Sequence, residues 1–163
     1  MIKLVNAKAD QIARLVDASI AAFESDVEFG APAGESGPPG FNSIGWHKNM
    51  LSCSDGFFSF YVGDNLIGGA LVFRDRNRTK KQYNLGRIWI DPEFQHQGYG
   101  LKAMELILDK FPDAECWTLE TPSWNIRTRN FYLKAGFTCI KEARGELHFV
   151  KKMASEQTQQ PAL

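Results

Sequence analysis

Apolar residues recur at every third or fourth position near the start of the chain, and this rhythm predicts an amphipathic helix. The helix follows a first predicted strand, MIKLVNA, and Asp10 is placed to cap its N-terminus. Its apolar face comprises Ile12, Leu15, Val16, Ile20 and Phe23. The same rhythm returns after Gly100, on a face that comprises Leu101, Met104, Leu108 and Phe111. Shorter helices are predicted at residues 44–52 and in the segment NIRTRNFYLKAGF.

Runs of apolar and β-branched residues predict the remaining strands. FFSFYVG and LIGGALVFR form a hairpin around Asp64 and Asn65, and LGRIWID, CWTLET, TCIKEAR and ELHFVKKM follow. Because hairpins are mixed with crossovers, the pattern favours an α/β (α+β) fold with a mixed sheet and helices on both faces. Residues 30–45 are rich in glycine and proline, which predicts a long loop.

Composition narrows the class of protein. Of 163 residues, 44% are apolar, and 19 lysines and arginines balance 19 aspartates and glutamates. This balance gives no overall attraction to nucleic acid, and no apolar run approaches the roughly 18–20 residues that span a bilayer. We therefore expect neither a nucleic-acid nor a membrane partner. We expect one domain at residues 1–153 and a polar, disordered tail at residues 154–163.

The cysteines point to a compartment. Cys53, Cys116 and Cys139 are scattered without the spacing of metal ligands, and we recognise no secretion signal. An odd number of thiols is typical of a reducing environment, so we expect the protein in the cytoplasm and without a metal site.

The stretch PEFQHQGYG, from Pro92 to Gly100, separates a predicted strand from a predicted helix. A helix start offers unpaired N–H groups and the positive end of the helix dipole, and glycine lets the backbone approach a diphosphate. The phosphate loop of NTPases ends in Gly-Lys-Ser/Thr, which Leu101 excludes, and the dinucleotide fingerprint places its third glycine where Ala103 stands. The stretch alone fits either a simple turn or an anion site.

A second motif lies downstream, in NIRTRNFYLKAGF at residues 125–137. Together with Gln95-x-x-Gly98-x-Gly100 after the strand IWID, it resembles the two sequence motifs of the GNAT N-acetyltransferase superfamily. Thr128 stands where the second motif usually has alanine. The motifs cover about residues 86–137, and the strand order on either side also suits the family. The resemblance implies the GNAT fold, with a mixed six- to seven-stranded sheet that splays between its fourth and fifth strands.

The resemblance also implies acetyl-CoA as the cofactor, bound at that splay. Main-chain groups of the fourth strand would meet the pantetheine arm, N–H groups of the glycine turn would hold the pyrophosphate, and Asn125 would contact the arm. Gln95 would add a side-chain donor. The implied cofactor-binding residues are Ile88, Trp89, Ile90, Gln95, His96, Gln97, Gly98, Tyr99, Gly100, Leu101 and Asn125.

Direct acetyl transfer to an amine in a ternary complex needs a proton donor, a base and close placement of the reactants. By the resemblance, Tyr132 is the acid that protonates the leaving thiolate. Glu120 matches the spacing of the base in the family's ribosomal-protein N-terminal acetyltransferases, and a water chain with a main-chain carbonyl is the alternative base. Asp91 and His47 are weaker candidates, since a lone histidine beside a loop is usually a polar surface residue.

The developing oxyanion would be met by a main-chain N–H, from Trp89 or Ile90.

The segment that the resemblance assigns to the acceptor side of the cleft has an unusual distribution of charged residues. No lysine or arginine lies between Arg14 and Lys48, and five acidic residues do. In the family the first two helices and their loop form this side of the cleft, so Glu28, Glu35 and Trp46 are candidate substrate-binding residues for a small cationic amine. The interval also fits a solvated acidic helix end and loop.

These motifs predict an acetyl-CoA-dependent N-acetyltransferase for a small primary amine. The Glu120 spacing favours an alternative, a protein acetyltransferase that acts on an N-terminus or a lysine. The alternative of another class is a non-catalytic acyl-CoA-binding sensor, which the presence of both Asn125 and Tyr132 opposes. Strand edges after Cys139 are compatible with a homodimer.

Overall fold

A computed structural model of the chain describes residues 1–32, 37–77, 79 and 81–154. Seven strands form one sheet: β1 (Ile2–Asn6), β2 (Gly56–Val62), β3 (Asn65–Asp75), β4 (Gln82–Ile90), β5 (Cys116–Pro122), β6 (Thr138–Ala143) and β7 (Glu146–Lys152). The α-helices among the described residues are α1 (Ile12–Glu24), α2 (Ile44–Cys53), α3 (Tyr99–Lys110) and α4 (Ile126–Lys134). This mixed architecture confirms the predicted fold class.

The sheet has the order β1-β2-β3-β4-β5-β7-β6, and every neighbouring pair is antiparallel except β4 and β5. The parallel pair is short, because only Gln82–Asn84 pairs with Cys116–Thr118. Beyond those residues the two strands separate. We call this gap the splay, and it confirms the predicted opening between the fourth and fifth strands.

Two cores lie on opposite faces of the sheet. The larger core packs α3 and α4 against one face of the sheet, and includes the fully buried Trp117, Phe60 and Phe149. The smaller core lies under α1 and α2, where Leu15 and Trp89 are buried. Helices therefore cover both faces of the sheet, as the mixture of hairpins and crossovers predicted.

Two glycines bring the central strands close together. A Cβ on Gly68 would lie 2.0 Å from the carbonyl oxygen of Trp89, and a Cβ on Gly69 would lie 2.7 Å from the Trp89 ring. The pair Gly-Gly in β3 therefore makes room for one tryptophan of β4. A bulge between Leu71 and Val72 also shifts the register of this strand pair.

The helix starts differ in one detail from expectation. Asp10 was predicted to cap α1, but it lies inside a short 3₁₀ turn, Ala9–Gln11, that precedes the helix. The side chain of Gln11 accepts from the main-chain N–H of Lys8 instead, at 3.0 Å. Ser43 caps α2 by accepting from the N–H of Trp46. Within the described parts of the chain, no helix is long and apolar enough to cross a membrane.

Candidate active site

The glycine turn leaves its main chain open on one side. A 3₁₀ turn at Pro92–Phe94 follows β4, and Gly98 then begins α3 in a left-handed conformation, with φ of +81°. His96 is also left-handed, with φ of +62°. A Cβ on Gly98 would meet no atom within 4 Å, so the space beside it is free. The first N–H groups of α3 have no acceptor within the helix, so this turn is suited to bind an anion.

The turn opens into a cleft of ≈ 390 Å³ that runs beside β4 toward α4. Most of the predicted cofactor residues line it, namely Ile88, Trp89, Ile90, Gln95, His96, Gly98, Gly100 and Leu101. Gln97 and Tyr99 do not, because the Gln97 side chain donates to the carbonyl of Glu93 and the Tyr99 ring packs against the larger core. A cleft with a bare glycine turn at one end and apolar walls fits coenzyme A, whose arm is long and whose pyrophosphate is anionic.

The main-chain N–H and C=O groups of β4 point alternately toward β3 and into the splay. The N–H of Asp91 donates to the carbonyl of Ile67 in β3 at 2.7 Å. Because antiparallel pairing alternates, Trp89 also directs its main-chain groups to β3, whereas Ile88 and Ile90 direct theirs into the splay. Of the two predicted oxyanion donors, the N–H of Ile90 therefore faces the gap and that of Trp89 does not. The Trp89 side chain lies in the smaller core and donates to the carbonyl of Leu15 at 3.2 Å.

The Gln95 side chain forms hydrogen bonds within the protein. Its Nε2 donates to the carbonyl of Ile90 at 2.8 Å, and its Oε1 accepts from Arg127 at 3.1 Å. The amide is thus used to tie the glycine turn to the end of β4 and to α4. One hydrogen of its amide nitrogen is used in this bond, and donation from the other to the pyrophosphate stays a prediction.

Tyr132 lies in the wall of the cleft and is only 8% exposed. Its ring packs among Phe131, Phe137 and Phe149, with ring centroids 5.2 to 6.1 Å away. Burial raises the pKa of the Tyr132 phenol well above its ordinary value, and the negative charge of Asp26 raises it further. The phenol therefore keeps its proton at neutral pH, as a general acid requires.

Asp26 and Arg127 form an ion pair at the same end of the cleft. Asp26 belongs to a 3₁₀ segment, Ser25–Phe29, that continues α1, and the Arg127 guanidinium lies 4.1 Å above the ring of Phe29. Burial raises the pKa of the Asp26 carboxyl, while the charge of Arg127 and a hydrogen bond from Asn125 act in the opposite direction. The pair fastens the end of α1 to α4 across the cleft.

Asn125 is 2% exposed and does not line the cleft. Its side chain caps α4 by accepting from the N–H of Thr128 at 3.1 Å. The Thr128 hydroxyl donates to the carbonyl of Asn125 and lies 2.8 Å from the hydroxyl of Thr121 in β5. The departure from alanine at residue 128 therefore adds a link between α4 and the far side of the splay. Contact between Asn125 and the cofactor stays a prediction.

Glu120 lies outside this cleft. Its neighbours Leu119 and Thr121 are buried toward α3 and α4, so the alternation of β5 directs Glu120 to the face of α1 and α2. There it accepts from Asn84 at 3.3 Å and lies 3.8 Å from His148. Its side chain is 40% exposed, so an acceptor amine or a water can reach it from that side.

The predicted acceptor residues are dispersed. Glu28 is exposed, Trp46 is partly buried in α2, and Glu35 lies outside the described residues. Asp17 lines a separate pocket beside Arg14. Since Asp26 is paired with Arg127, the acidic residues of this interval that the structure describes do not form one continuous acidic rim.

His47 is not the surface residue that we expected. It is 0% exposed in α2, and its ring lies between those of Trp46, Phe57 and Trp89. Burial lowers the pKa of the His47 imidazole, and the charge of Arg87 lowers it further, against the effect of a hydrogen bond to Ser43. A buried aromatic setting is unsuited to a base that must reach an acceptor.

Several residues at the site escaped the sequence analysis. The cleft is also lined by Ala22, Phe23, Asp26, Arg127, Thr128, Asn130, Phe131 and Lys134. Those of α4 carried a usable signal, because Arg127, Phe131 and Lys134 recur at helical spacing within the second motif. Asp26 carried none, since its partner lies 101 residues away. In the described parts of the chain, no group of three or more histidine, cysteine or acidic residues is placed to hold a metal.

Comparison with known proteins gives one family and many similar folds. The model of the acetyltransferase (GNAT) family matches residues 21–137. A curated relative, the uncharacterized protein YrkN of Bacillus subtilis (strain 168), is 35% identical over 77 residues, which span 46% of this chain and 40% of that protein. The chain thus matches less than half of the length of this relative.

Two solved structures illustrate the fold. PH1933 from Pyrococcus horikoshii OT3 superposes with a TM-score of 0.75 at 20% identity, covering 95% of this chain and all of that one. The PaiA N-acetyltransferase from Thermoplasma acidophilum, in complex with coenzyme A, superposes with a TM-score of 0.72 at 18% identity, covering 94% and 99%.

Proposed function

Since the chain belongs to the GNAT acetyltransferase family, which uses acetyl-CoA, we propose that it transfers an acetyl group from acetyl-CoA to a small primary amine. The observation that carries the proposal is the placement of Tyr132, a buried phenol in the wall of the cleft that starts at the glycine turn. A module that only binds the cofactor has no use for a proton donor at that end.

Different residues bind the cofactor and take part in the transfer. The N–H groups at the start of α3 bind the pyrophosphate, and the main chain of Ile88 and Ile90 binds the arm at the splay. The N–H of Ile90 donates to the carbonyl oxygen on which negative charge develops. In the transfer, the amine nitrogen bonds to the acetyl carbon, the carbon–sulfur bond breaks, and Tyr132 gives its proton to the departing sulfur.

A base must also take one proton from the attacking amine. Glu120 is the candidate base. It lies on the face of the sheet that α1 and α2 cover, which we call the acceptor face, and Asn84 and His148 hold its carboxylate there. Because it stands apart from the cleft that contains Tyr132, it would act through water. The proton that Tyr132 loses and the one that the base gains balance the reaction, which yields an amide and a free thiol.

One observation favours a protein acceptor instead. Glu120 has the spacing of the base in N-terminal acetyltransferases, and the structure leaves it open to the acceptor face. Residues 37–43 oppose this alternative, because they fold over the same face, where Phe41 is buried and accepts from Ser19 at 2.8 Å. A narrow acceptor side suits a small amine better than a chain.

The direct test is to incubate the protein with acetyl-CoA and a panel of small amines, N-terminal peptides and lysine peptides, while free thiol is measured. Turnover with small amines and none with peptides is the expected result. Turnover confined to peptides would establish the protein acetyltransferase. Tight coenzyme A binding by calorimetry, without thiol release from any acceptor, would leave the acyl-CoA sensor as the remaining explanation.

A further inference from the structure

One arginine of the sheet, Arg87, has no acidic partner among the residues that the structure describes. Arg87 of β4 pairs with Leu71 beside the bulge of β3, and its guanidinium lies 4.3 Å from the centroid of the Trp46 ring. Its Nη2 donates to the carbonyl of Pro39 at 3.0 Å. Its Nη1 is buried and has no partner among the described residues. Burial also lowers the pKa of Arg87 to about 10.

A second buried atom nearby lacks a partner. Nδ1 of His47 lies 2.7 Å from the carbonyl of Ser43. Because a carbonyl oxygen only accepts, Nδ1 carries the proton and Nε2 is the accepting nitrogen. Nε2 is buried without a partner in the described parts of the chain. Buried polar atoms are nearly always satisfied in proteins, so the unpaired donor of Arg87 points to a missing acceptor, whereas Nε2 of His47 would need a donor such as water.

These atoms lie on the acceptor face of the splay. Arg87 follows Asn84, the last residue of β4 that pairs with β5, so it stands beside the open part of the sheet. Its contacts with Trp46 and Pro39 place it on the face of α1 and α2. Glu120 lies on the same face but outside the cleft of the glycine turn, which is lined by residues of both α1 and α4. An acceptor that reaches the splay from this side passes Arg87.

We propose that Arg87 and Trp46 form an anion subsite for the acceptor, which is therefore a primary amine that also carries a carboxylate or a phosphate. The inference rests on the function proposed above and narrows its substrate. An anionic oxygen would satisfy Nη1 and would be a stronger partner for Nη2 than the neutral carbonyl of Pro39. The flat face of Trp46 would keep the guanidinium in place.

The surrounding charges agree with this subsite. Asp26 is neutralised by Arg127, and Glu28 is exposed at the end of the Ser25–Phe29 segment. No acidic side chain among the described residues contacts Arg87 and would repel an anion there. A small amine with both charges would place its ammonium group toward Glu120 and its anion at Arg87.

The test compares amines that differ only in the anion. Steady-state kinetics with acetyl-CoA would use tryptophan against tryptamine for the carboxylate, and phosphoethanolamine against ethanolamine for the phosphate. We expect kcat/KM to be at least tenfold higher for the anionic member of one pair. The pair that shows this preference identifies the anion.

Variants then assign the preference to Arg87. Arg87→Gln is expected to lower the ratio of kcat/KM for the anionic over the plain amine by roughly tenfold to a hundredfold. Arg87→Lys should keep part of the ratio, because the charge stays while the planar fork is lost. Arg74→Gln, which removes an exposed arginine of β3 outside the cleft, is the matched control and should keep the full ratio. A ratio is unaffected by a general loss of folded protein.

Three results would overturn the subsite. Equal rates for both members of each pair would do so while leaving the acetyltransferase function intact, as would a ratio that Arg87→Gln leaves unchanged. If no amine is acetylated at all, the proposed function fails, and the subsite is then tested with inorganic phosphate. We expect phosphate to shift the Arg87 Nε–H signal in NMR spectra of the wild type, and the absence of a shift would remove the subsite.

Discussion

Burial shifts the pKa values of single side chains in the cleft. The Tyr132 phenol is protonated at neutral pH even at its ordinary pKa of about 10, and burial and the charge of Asp26 raise that pKa further. Asp26 is itself poorly solvated, yet Arg127 stands against it. The chain therefore places a neutral acid next to a neutralised ion pair. Such a site can give up a proton to a thiolate without first exchanging protons with water.

Replacement of Tyr132 by phenylalanine removes the proton donor and little volume. We expect kcat to fall by about a hundredfold or more, with a small change in coenzyme A affinity, since general acids contribute roughly 10²- to 10⁴-fold. Tyr83→Phe is the matched control, because Tyr83 is a buried tyrosine of β4 whose hydroxyl donates to Asp113 outside the cleft. Thiol-release kinetics make the comparison. Equal kcat for wild type and Tyr132→Phe would remove the assignment.

His47 links folding stability to pH. Its pKa is lowered in the folded protein, so the unfolded chain binds more protons between that lowered pKa and the ordinary value near 6.5. Stability from this group is present above pH 6.5 and is lost as pH falls through the folded pKa. We expect urea unfolding to show a decline in the free energy of unfolding from pH 7 to pH 5, which His47→Asn reduces.

The control for this prediction is His96→Asn. His96 is exposed, and asparagine tolerates its left-handed backbone, so that variant should keep the decline. A pH dependence that is identical in both variants would show that other groups cause it.

The sequence was most informative about the secondary-structure elements. Periodicity predicted the four helices and seven strands of the described residues because most of them bury an apolar face whose spacing is local; β6, which is exposed, is the exception. The glycine turn was also visible, since Gly98 needs a positive φ and lies at a strand–helix junction. The reason for Gly68 and Gly69 was not visible, because it depends on the Trp89 backbone and ring in the next strand.

Gly98 tests whether the turn serves the cofactor or only the fold. Gly98→Val places a β-branched side chain at φ of +81°, and Gly145→Val does the same at φ of +78° in the β6–β7 turn. Neither added Cβ meets an atom within 4 Å, so the two should cost similar folding stability, on the order of 1–2 kcal/mol. We expect only Gly98→Val to weaken coenzyme A binding, by about tenfold or more, in calorimetric titrations. Equal affinities would assign Gly98 to the fold alone.

At the scale of the whole molecule, the cleft is closed by contacts between distant segments. Arg127 of α4 contacts Asp26 at the end of α1 and Gln95 in the glycine turn. The sequence around either residue does not predict this contact, because two charged residues 101 positions apart produce no periodic pattern in the sequence. The contacts of Arg87 also depend on distant residues, so the sequence shows it only as part of the strand LGRIWID. A charged residue inside that apolar strand was nevertheless a local sign of a special role.

The ion pair can be tested as a unit. Arg127→Met leaves the buried Asp26 carboxylate without its counter-charge, which we expect to cost about 2 kcal/mol of folding stability. In the double variant with Asp26→Asn the buried charge is gone, so part of that loss should be recovered. Urea denaturation of wild type, both single variants and the double variant gives the coupling energy. Strictly additive losses would show that the pair does not hold the two segments together.

The short pairing of β4 with β5 means that the polypeptide alone does not complete its own sheet. Past Asn84 no strand among the described residues lies beside the main-chain groups of Ile88 and Ile90 on the side of β5. A bound amide-containing arm would take the place of that neighbour, so the cofactor would act as a strand-like insert as well as a reagent. Amide exchange in this half of β4 would then report acetyl-CoA occupancy, and the protein in cells would reach its full rigidity only when supplied with coenzyme A.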